Sequence, residues 1–217
     1  MDGRSGYRKS WQETYRQKGD VWRSMYPRGY IGFSGLSDVV EKAEPDMTVL
    51  DVGIGTGEDA LPLLKKGVRI TGFDTSSEAL KICAMKFREA GIPVENYHLV
   101  QSSVQEFNYP ESKYHIVVDY YTSQHITRQD QGTFYYRTFH CLMPNGMFLL
   151  GQFTPQHLSN QQNLKSNGHG VFTSDERYFC VSGTDEMQRK LELLGFSVDS
   201  TYRYEEKGFY EIVASRR

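Results

Sequence analysis

Val49-Leu50-Asp51-Val52-Gly53-Ile54-Gly55-Thr56-Gly57-Glu58 is the stretch on which the reading of this chain turns. Thr48 to Val52 is a short apolar, β-branched run that reads as a buried strand. Three glycines at alternate positions follow, and then a helical stretch. Glycines let the backbone turn sharply and approach a ligand without Cβ clashes. The helix start behind them presents N–H groups that have no partner within the helix. Asp74 stands 17 residues beyond the last glycine, at the tip of the next predicted strand. A carboxylate there is placed to accept both hydroxyls of an adenosine ribose.

Two cofactor classes use this geometry, and the sixth position separates them. A dinucleotide site wants glycine first, third and sixth, the last for close helix–strand packing. Counted from Gly53, the sixth residue is Glu58, whose carboxylate is a poor neighbour for a pyrophosphate. Asp51, two residues before the first glycine, suits instead a ligand bearing a positive amino group. A tight strand-to-helix turn with no ligand is the alternative; Asp51, Asp74 and the strand–loop–helix context weigh against it.

Outward from this loop the pattern alternates strands and helices. Val68–Phe73, Tyr97–Gln101, Tyr114–Tyr121 and Met147–Phe153 read as strands, with helices over Glu58–Lys66, Ser76–Ala90 and Gln129–Cys141. Thr184 is expected to cap a helix to Leu194, which Gly195 ends. Phe196–Tyr202 and Phe209–Ala214 form an antiparallel hairpin. The expected fold is α/β: a Rossmann-like, doubly wound, seven-stranded sheet with a C-terminal antiparallel hairpin. Residues 1–45 are polar and aromatic, with Trp11, Tyr15, Trp22, Tyr26 and Tyr30 among charges. Trp11 and Tyr15, four apart, share a helical face. This segment is expected to be a lid on a domain spanning 46–217. Residues 154–182, rich in Gln, Asn, Ser and Gly, read as an insertion or mobile loop near the acceptor site.

Composition narrows the function. The 217 residues suit one α/β domain. A net charge of −2 without a Lys/Arg run disfavours nucleic acid as partner. No stretch has the length of a membrane span, and the start of the chain shows no apolar secretory region. Cys83, Cys141 and Cys180 fit a reducing compartment and offer no zinc site. A cytoplasmic protein, monomeric or homodimeric, is expected. The 15 Tyr and 12 Phe are core packing or pocket lining.

The motifs of residues 47–150 resemble those of the class I S-adenosylmethionine-dependent methyltransferases. The glycine loop is similar to that family's first motif and Gly72-Phe-Asp-Thr-Ser76 to its second. Val100–Phe107 stands where the family contacts adenine, Tyr114–Ile126 at its fourth strand and following loop, Leu142–Leu150 at the turn into its fifth, and Leu193–Val198 at its C-terminal helix-to-strand step. Trp11-Gln-Glu-Thr-Tyr15 resembles the N-terminal lids of small-molecule members such as the thiopurine-type enzymes. The resemblance implies S-adenosylmethionine as cofactor. It implies that Gly53, Gly55 and Gly57 line its methionine and ribose, that Asp51 acts near its amino group and that Asp74, beside Thr75, holds its ribose hydroxyls. Ser103 and Val104 would flank the adenine. The family often has an acid where this chain has Ser103; a hydroxyl accepts the same hydrogen bond more weakly.

The acceptor end rests on the loop after the fourth strand. His125 lies there, on the carboxyl edge where ligands of open α/β sheets bind, with an intrinsic pKa near neutrality. It is read as a general base or, equally, as a packing histidine. Of Tyr120 and Tyr121, adjacent on a strand and so facing opposite ways, one fills the sheet and one lines the pocket. Tyr120 is assigned to the cofactor and Tyr121, with His125, to catalysis. His98, His115 and His140 read as structural or exposed, while His157 and His169 reach the site only if their segment folds over it. No spacing suggests a metal, no Gly-x-Ser-x-Gly a hydrolase, and the Asn-Pro-Pro-aromatic motif of amino-methylating nucleic-acid enzymes is absent after strand four. The expected activity is methyl transfer to a nitrogen or oxygen of a small molecule. A protein or RNA methyltransferase, or a cofactor-binding partner without activity, are the alternatives.

Overall fold

Val49 and Leu50 are neighbours on strand β1 (Thr48–Val52), both fully buried, yet they pack into different layers. Side chains on a strand alternate between faces, so a strand buried on both sides is covered by helices on both sides. The structure, a computed structural model, describes residues 3–21, 23, 33–174 and 177–217. Trp22, Tyr26 and Tyr30 lie outside them.

Around β1 the main sheet is built from β2 (Arg69–Asp74), β3 (Tyr97–Gln101), β4 (Tyr114–Tyr120), β5 (Leu142–Phe153), β9 (Phe196–Tyr204) and β10 (Phe209–Arg216). Its order is β3-β2-β1-β4-β5-β10-β9. The first five strands are parallel, and β10 runs antiparallel to both β5 and β9. The chain winds one way from β1 through β2 to β3 and the other way from β4, so the direction switches between β1 and β4. Ligands of open sheets bind outside the carboxyl ends at such a switch.

One face carries α2 (Ser34–Lys42), α3 (Ala60–Leu64) and α4 (Ser77–Glu89), whose Leu36, Val39, Leu63, Cys83 and Phe87 pack on Val49, Ile116 and Val118. The other carries α5 (Arg128–Cys141) and α7 (Thr184–Leu193), whose Phe134, Cys141, Met187 and Leu191 meet Leu50, Val117 and Phe148. Local signals set the helix ends. Ser76 Oγ accepts from Ala79 N at 3.2 Å, and Thr127 Oγ1 accepts from Asp130 N at 3.1 Å, each a side-chain N-cap. Thr184, expected to cap α7, is instead its first residue; the cap position is Gly183, which has no side chain to cap with.

The larger departure is 154–182. After α6 (Pro155–Ser159) it forms a separate antiparallel sheet of β6 (Lys165–Ser166), β7 (Val171–Thr173) and β8 (Tyr178–Cys180). Leu158, Phe172 and Val181 give it a small core, against which Phe153 and Phe179 pack. Its strands have two or three residues, too short for an alternation to be seen in sequence. At the other end of the chain α1 (Gly3–Lys18) is a helix, and Trp11 and Tyr15 share a face with ring centroids 6.1 Å apart.

Candidate active site

Gly53 and Gly57 both require glycine. At Gly53 the backbone has φ +67, and a Cβ would stand 2.1 Å from Thr122 Oγ1. At Gly57 φ is +75 and a Cβ would meet the Phe87 ring at 2.7 Å and Cys83 Sγ at 2.8 Å. The loop thus turns left-handed with bare backbone against β4's loop on one side and α4 on the other. Gly57→Ala adds a methyl to a closed core and strains the backbone, so we expect a loss of about 2–4 kcal/mol in urea unfolding. A loss under about 0.5 kcal/mol would mean that the loop re-forms around the methyl group.

Asp74 closes the loop from the β2 side. Its Oδ2 accepts from Gly55 N at 3.0 Å and its Oδ1 from Ser76 N at 2.8 Å. Burial pushes its pKa up to about 6, against the pull of those N–H donors. Asp59, the cap of α3, is pushed up to about 7 by burial. Asp51 lies behind the loop, 1% exposed, and neither carboxylate oxygen has a hydrogen-bond partner among the described residues. Burial, with Asp59, Asp74 and Asp119 nearby, raises its pKa well above the usual carboxylate range. Four carboxylates therefore crowd the glycine-loop end.

A cavity of about 1000 Å³ runs from this loop past β4 to the small sheet. Gly53, Gly55, Asp74, Thr75, Ser103, Val104, Tyr120, Tyr121 and His125 all line it; Asp51 and Gly57 stand behind its wall. Ser103 Oγ donates to Glu106 Oε2 at 2.7 Å and accepts from Glu106 N at 3.3 Å, which leaves the hydroxyl one lone pair to accept from a ligand amine. An acid thus does stand at this edge, three residues later than the family pattern suggests. Phe73 lies in the same wall and stacks on Phe107 at 4.4 Å.

Tyr120 and Tyr121 do not face opposite ways: β4 ends at Tyr120, the chain turns at Tyr121, and both rings line the cavity with centroids 5.5 Å apart. The Tyr120 ring borders the cavity, but its hydroxyl donates to Glu211, which Tyr204 also reaches at 2.6 Å. Glu211 accepts from Gly35 N at 2.8 Å and Leu36 N at 3.2 Å, at the start of α2. Burial raises this carboxyl to about 7. Tyr121 has φ +61, an unusual position for a bulky residue. Its N–H donates to Gly151 O at 2.9 Å and its ring lies 4.9 Å from Phe153. Asp119 holds the turn that follows by accepting from Thr122 N at 3.1 Å and Ser123 N at 3.0 Å.

That turn presents His125. Its Nδ1 stands 3.0 Å from Tyr178 O of β8, its ring 4.7 Å from Phe179 and 5.5 Å, edge-on, from Trp11. A carbonyl only accepts, so Nδ1 carries the proton and Nε2 the lone pair. Burial chiefly, with a contribution from the Arg177 charge, holds the imidazole down to about 4. Helix α1 closes the cavity from above. Gln12 Oε1 accepts from Ser76 Oγ at 2.8 Å and Gln12 Nε2 donates to Ser77 Oγ at 3.1 Å. Asp20, just beyond the helix, binds Lys86 at 2.7 Å and Thr56 Oγ1 at 2.8 Å, and Lys86 also pairs with Glu58. Arg177 and Glu106 escape a reading of the sequence: Arg177 sits in the polar 154–182 segment and Glu106 in a stretch assigned only as a whole. Among the described residues no cluster of His, Cys, Asp and Glu has the make-up of a metal site.

Residues 49–146 match the family model described as a methyltransferase domain. A ubiquinone/menaquinone biosynthesis C-methyltransferase, UbiE, of Vibrio vulnificus is 30% identical over 119 residues, 52% of this chain and 43% of that enzyme. The chain thus spans about half the length of the curated relatives it matches. Among solved structures, Burkholderia thailandensis 1,6-didemethyltoxoflavin-N1-methyltransferase, with bound 1,6-didemethyltoxoflavin and S-adenosylhomocysteine, superposes with a TM-score of 0.71 at 20% identity over 98% of this chain and 88% of that one. The PH0226 protein of Pyrococcus horikoshii gives 0.74 at 14% identity over 94% and 99%. These two likenesses concern the fold. The strand order, the glycine loop and the matched methyltransferase domain together support a class I S-adenosylmethionine-dependent methyltransferase.

Proposed function

We propose that the chain binds S-adenosylmethionine and moves its methyl group to a nitrogen or oxygen of a small molecule. The observation that carries this reading is one cavity that joins the glycine loop and Asp74 to the Tyr121–His125 turn. Three features fit the cofactor. The bare backbone at Gly53 and Gly55 leaves room for close approach. Asp74 offers lone pairs to ribose hydroxyls. The buried carboxyl groups around the loop, including Asp51, which has no partner among the described residues, would ionise more readily beside a positively charged ligand group.

When bound, S-adenosylmethionine supplies a methyl group already activated on a sulfonium. What the chain must do is align and enclose. Gly53 and Asp74 would fix the cofactor across β1, Ser103 and Val104 would hold its adenine end, and Tyr120 would wall the middle. Tyr121 and Phe153 would hold the acceptor, and α1 would exclude water. His125 Nε2 would take the acceptor's proton where one must leave. The Vibrio relative is by name a C-methyltransferase; the aromatic walls and the histidine beside them favour a heteroatom here. Size favours a small acceptor, since Trp11 and Tyr15 of α1 line a cavity of about 1000 Å³.

Calorimetry with S-adenosylhomocysteine tests the cofactor, with affinity in the micromolar range expected, about 8 kcal/mol. Asp74 must be ionised to accept two hydroxyls, and its pKa in the free protein is about 6. Affinity should therefore rise from pH 5 to 7.5 as that proton no longer has to be displaced. Asp59 titrates near 7 in the same range, so the variant isolates the share of Asp74. Asp74→Asn should cost about 1.5 kcal/mol, roughly tenfold, and flatten that slope. Tight NAD binding without a response to S-adenosylhomocysteine would overturn the reading.

A further inference from the structure

Arg177 is the cationic group that the cavity does not explain. It sits in the turn between β7 and β8, where Ser174 N donates to Arg177 O at 2.8 Å and Arg177 N donates to Ser174 Oγ at 3.1 Å. The guanidinium lies 3.9 Å over the Trp11 ring, and Nη2 stands 3.4 Å from Thr14 Oγ1. Nη1 is buried with no hydrogen-bond partner, and among the described residues no carboxylate pairs with this cation. A guanidinium has five N–H donors in a fixed fork. Leaving a buried, charged donor unmade is costly unless something else completes it. The side chain lines the cavity, so a bound molecule can do that.

We propose that Arg177 anchors an anionic group, a carboxylate in the simplest case, of the methyl acceptor. The inference rests on the methyltransferase reading and deepens it by naming a substrate class: flat aromatic acids. Trp11 lies against Arg177, with His125 and Phe179 next along the same wall, and these rings suit a flat acceptor. The cavity is also polarised. Glu58, Asp59 and Asp74 line the glycine-loop end, whereas Arg177 stands by His125, close enough to bias the imidazole, with Asp130 also in that part of the wall. A cationic cofactor and an anionic acceptor would each face the opposite charge. A carboxylate could also come from the cofactor's own amino-acid tail, whose expected place is across β1. Arg177 instead contacts Trp11 and Thr14 of α1 and its charge acts on His125, which favours the acceptor.

The test compares benzoate, 4-hydroxybenzoate and indole-3-carboxylate with their primary amides. Binding to the full chain is followed by calorimetry and tryptophan fluorescence, with and without S-adenosylhomocysteine. At least one acid should bind about tenfold or more tightly than its amide, the share of a charge-assisted, bidentate contact. Arg177→Gln should erase that preference, Arg177→Lys should keep part of it, and both should bind S-adenosylhomocysteine within about twofold of wild type. Amides that bind as well as their acids, or a preference that survives Arg177→Gln, would overturn the proposal. So would an Arg177→Gln variant that binds S-adenosylhomocysteine more weakly but methylthioadenosine, which lacks the amino-acid tail, as before; the carboxylate would then be the cofactor's. Failure of wild type to bind S-adenosylhomocysteine would strike the methyltransferase reading alone, since the acid–amide comparison is also made without it.

Discussion

Replacing His125 with alanine is expected to lower turnover by about 10²-fold or more for an acceptor that must lose a proton, with cofactor affinity nearly unchanged. The tautomer is the reason. Nδ1 is committed to the Tyr178 carbonyl at 3.0 Å, so Nε2 is the nitrogen that can receive a proton. The imidazole is held down to about 4, so it is neutral across the whole neutral range. The acid limb of kcat/KM, which reports the free enzyme, should fall near pH 4 rather than near 6.5. An anion on Arg177 would offset the charge that helps hold the imidazole down, so the limb in kcat should lie higher. Alanine also removes ring contacts with Trp11 and Phe179. His125→Gln keeps much of that volume but cannot take the proton; a purely structural histidine would leave this variant active and the limb in place. If the acceptor is a free amine, the His125 loss is small and Tyr121→Ala costs more through lost packing. Wild-type turnover in both variants would remove the acceptor from this end of the cavity.

The sheet was legible because each of its strands from β1 to β4 carries its own signal. Thr48–Val52 and Tyr97–Gln101 have the bounds that the sequence suggests, and the glycine loop and Asp74 come together because β1 and β2 pair in parallel. β5 starts five residues earlier than expected, at Leu142, because the Pro144-Asn-Gly turn is absorbed into the strand: Leu142 pairs with Tyr114 and the register shifts before Met147. The cavity's far side was not legible. Arg177 owes its place to a hairpin of three-residue strands whose residues are polar outside and held by contacts with Phe153 and Leu158. Nothing local in the sequence encodes such a tertiary anchor. Glu211 shows the converse. A carboxylate in an otherwise apolar strand (Phe209, Tyr210, Ile212, Val213) looks like an exposed position by alternation. It is fully buried, because two tyrosines and the start of α2 satisfy it from sites 7, 91 and some 175 residues away in sequence.

The lid prediction has the other large expected effect. Trp11→Ala combined with Gln12→Ala should leave a folded protein whose turnover is lower by about 10²-fold, the scale of loss when a reacting pair is no longer held in line. Helix α1 has mostly polar residues, and contacts that hold it over the cavity include Gln12 on Ser76 and Ser77, Trp11 on His125 and Arg177, and Asp20 on Lys86 and Thr56, with Thr14 beside Arg177. The two substitutions remove the first two of these and keep the third, so the chain stays tethered while its roof loosens. The two core layers lie elsewhere, and among the described side chains of residues 11–20 Tyr15 is buried but belongs to neither layer, so thermal unfolding should shift by only a few degrees. Two of the lid's anchors, Thr56 and Ser76, flank the cofactor-side residues Gly55 and Asp74. Cofactor binding should therefore steady them, and hydrogen exchange along 3–18 should slow when S-adenosylhomocysteine is added. The double variant should lose most of that slowing. Exchange that ignores the ligand, together with near-normal turnover in the variant, would make α1 a passive cover with no part in the reaction.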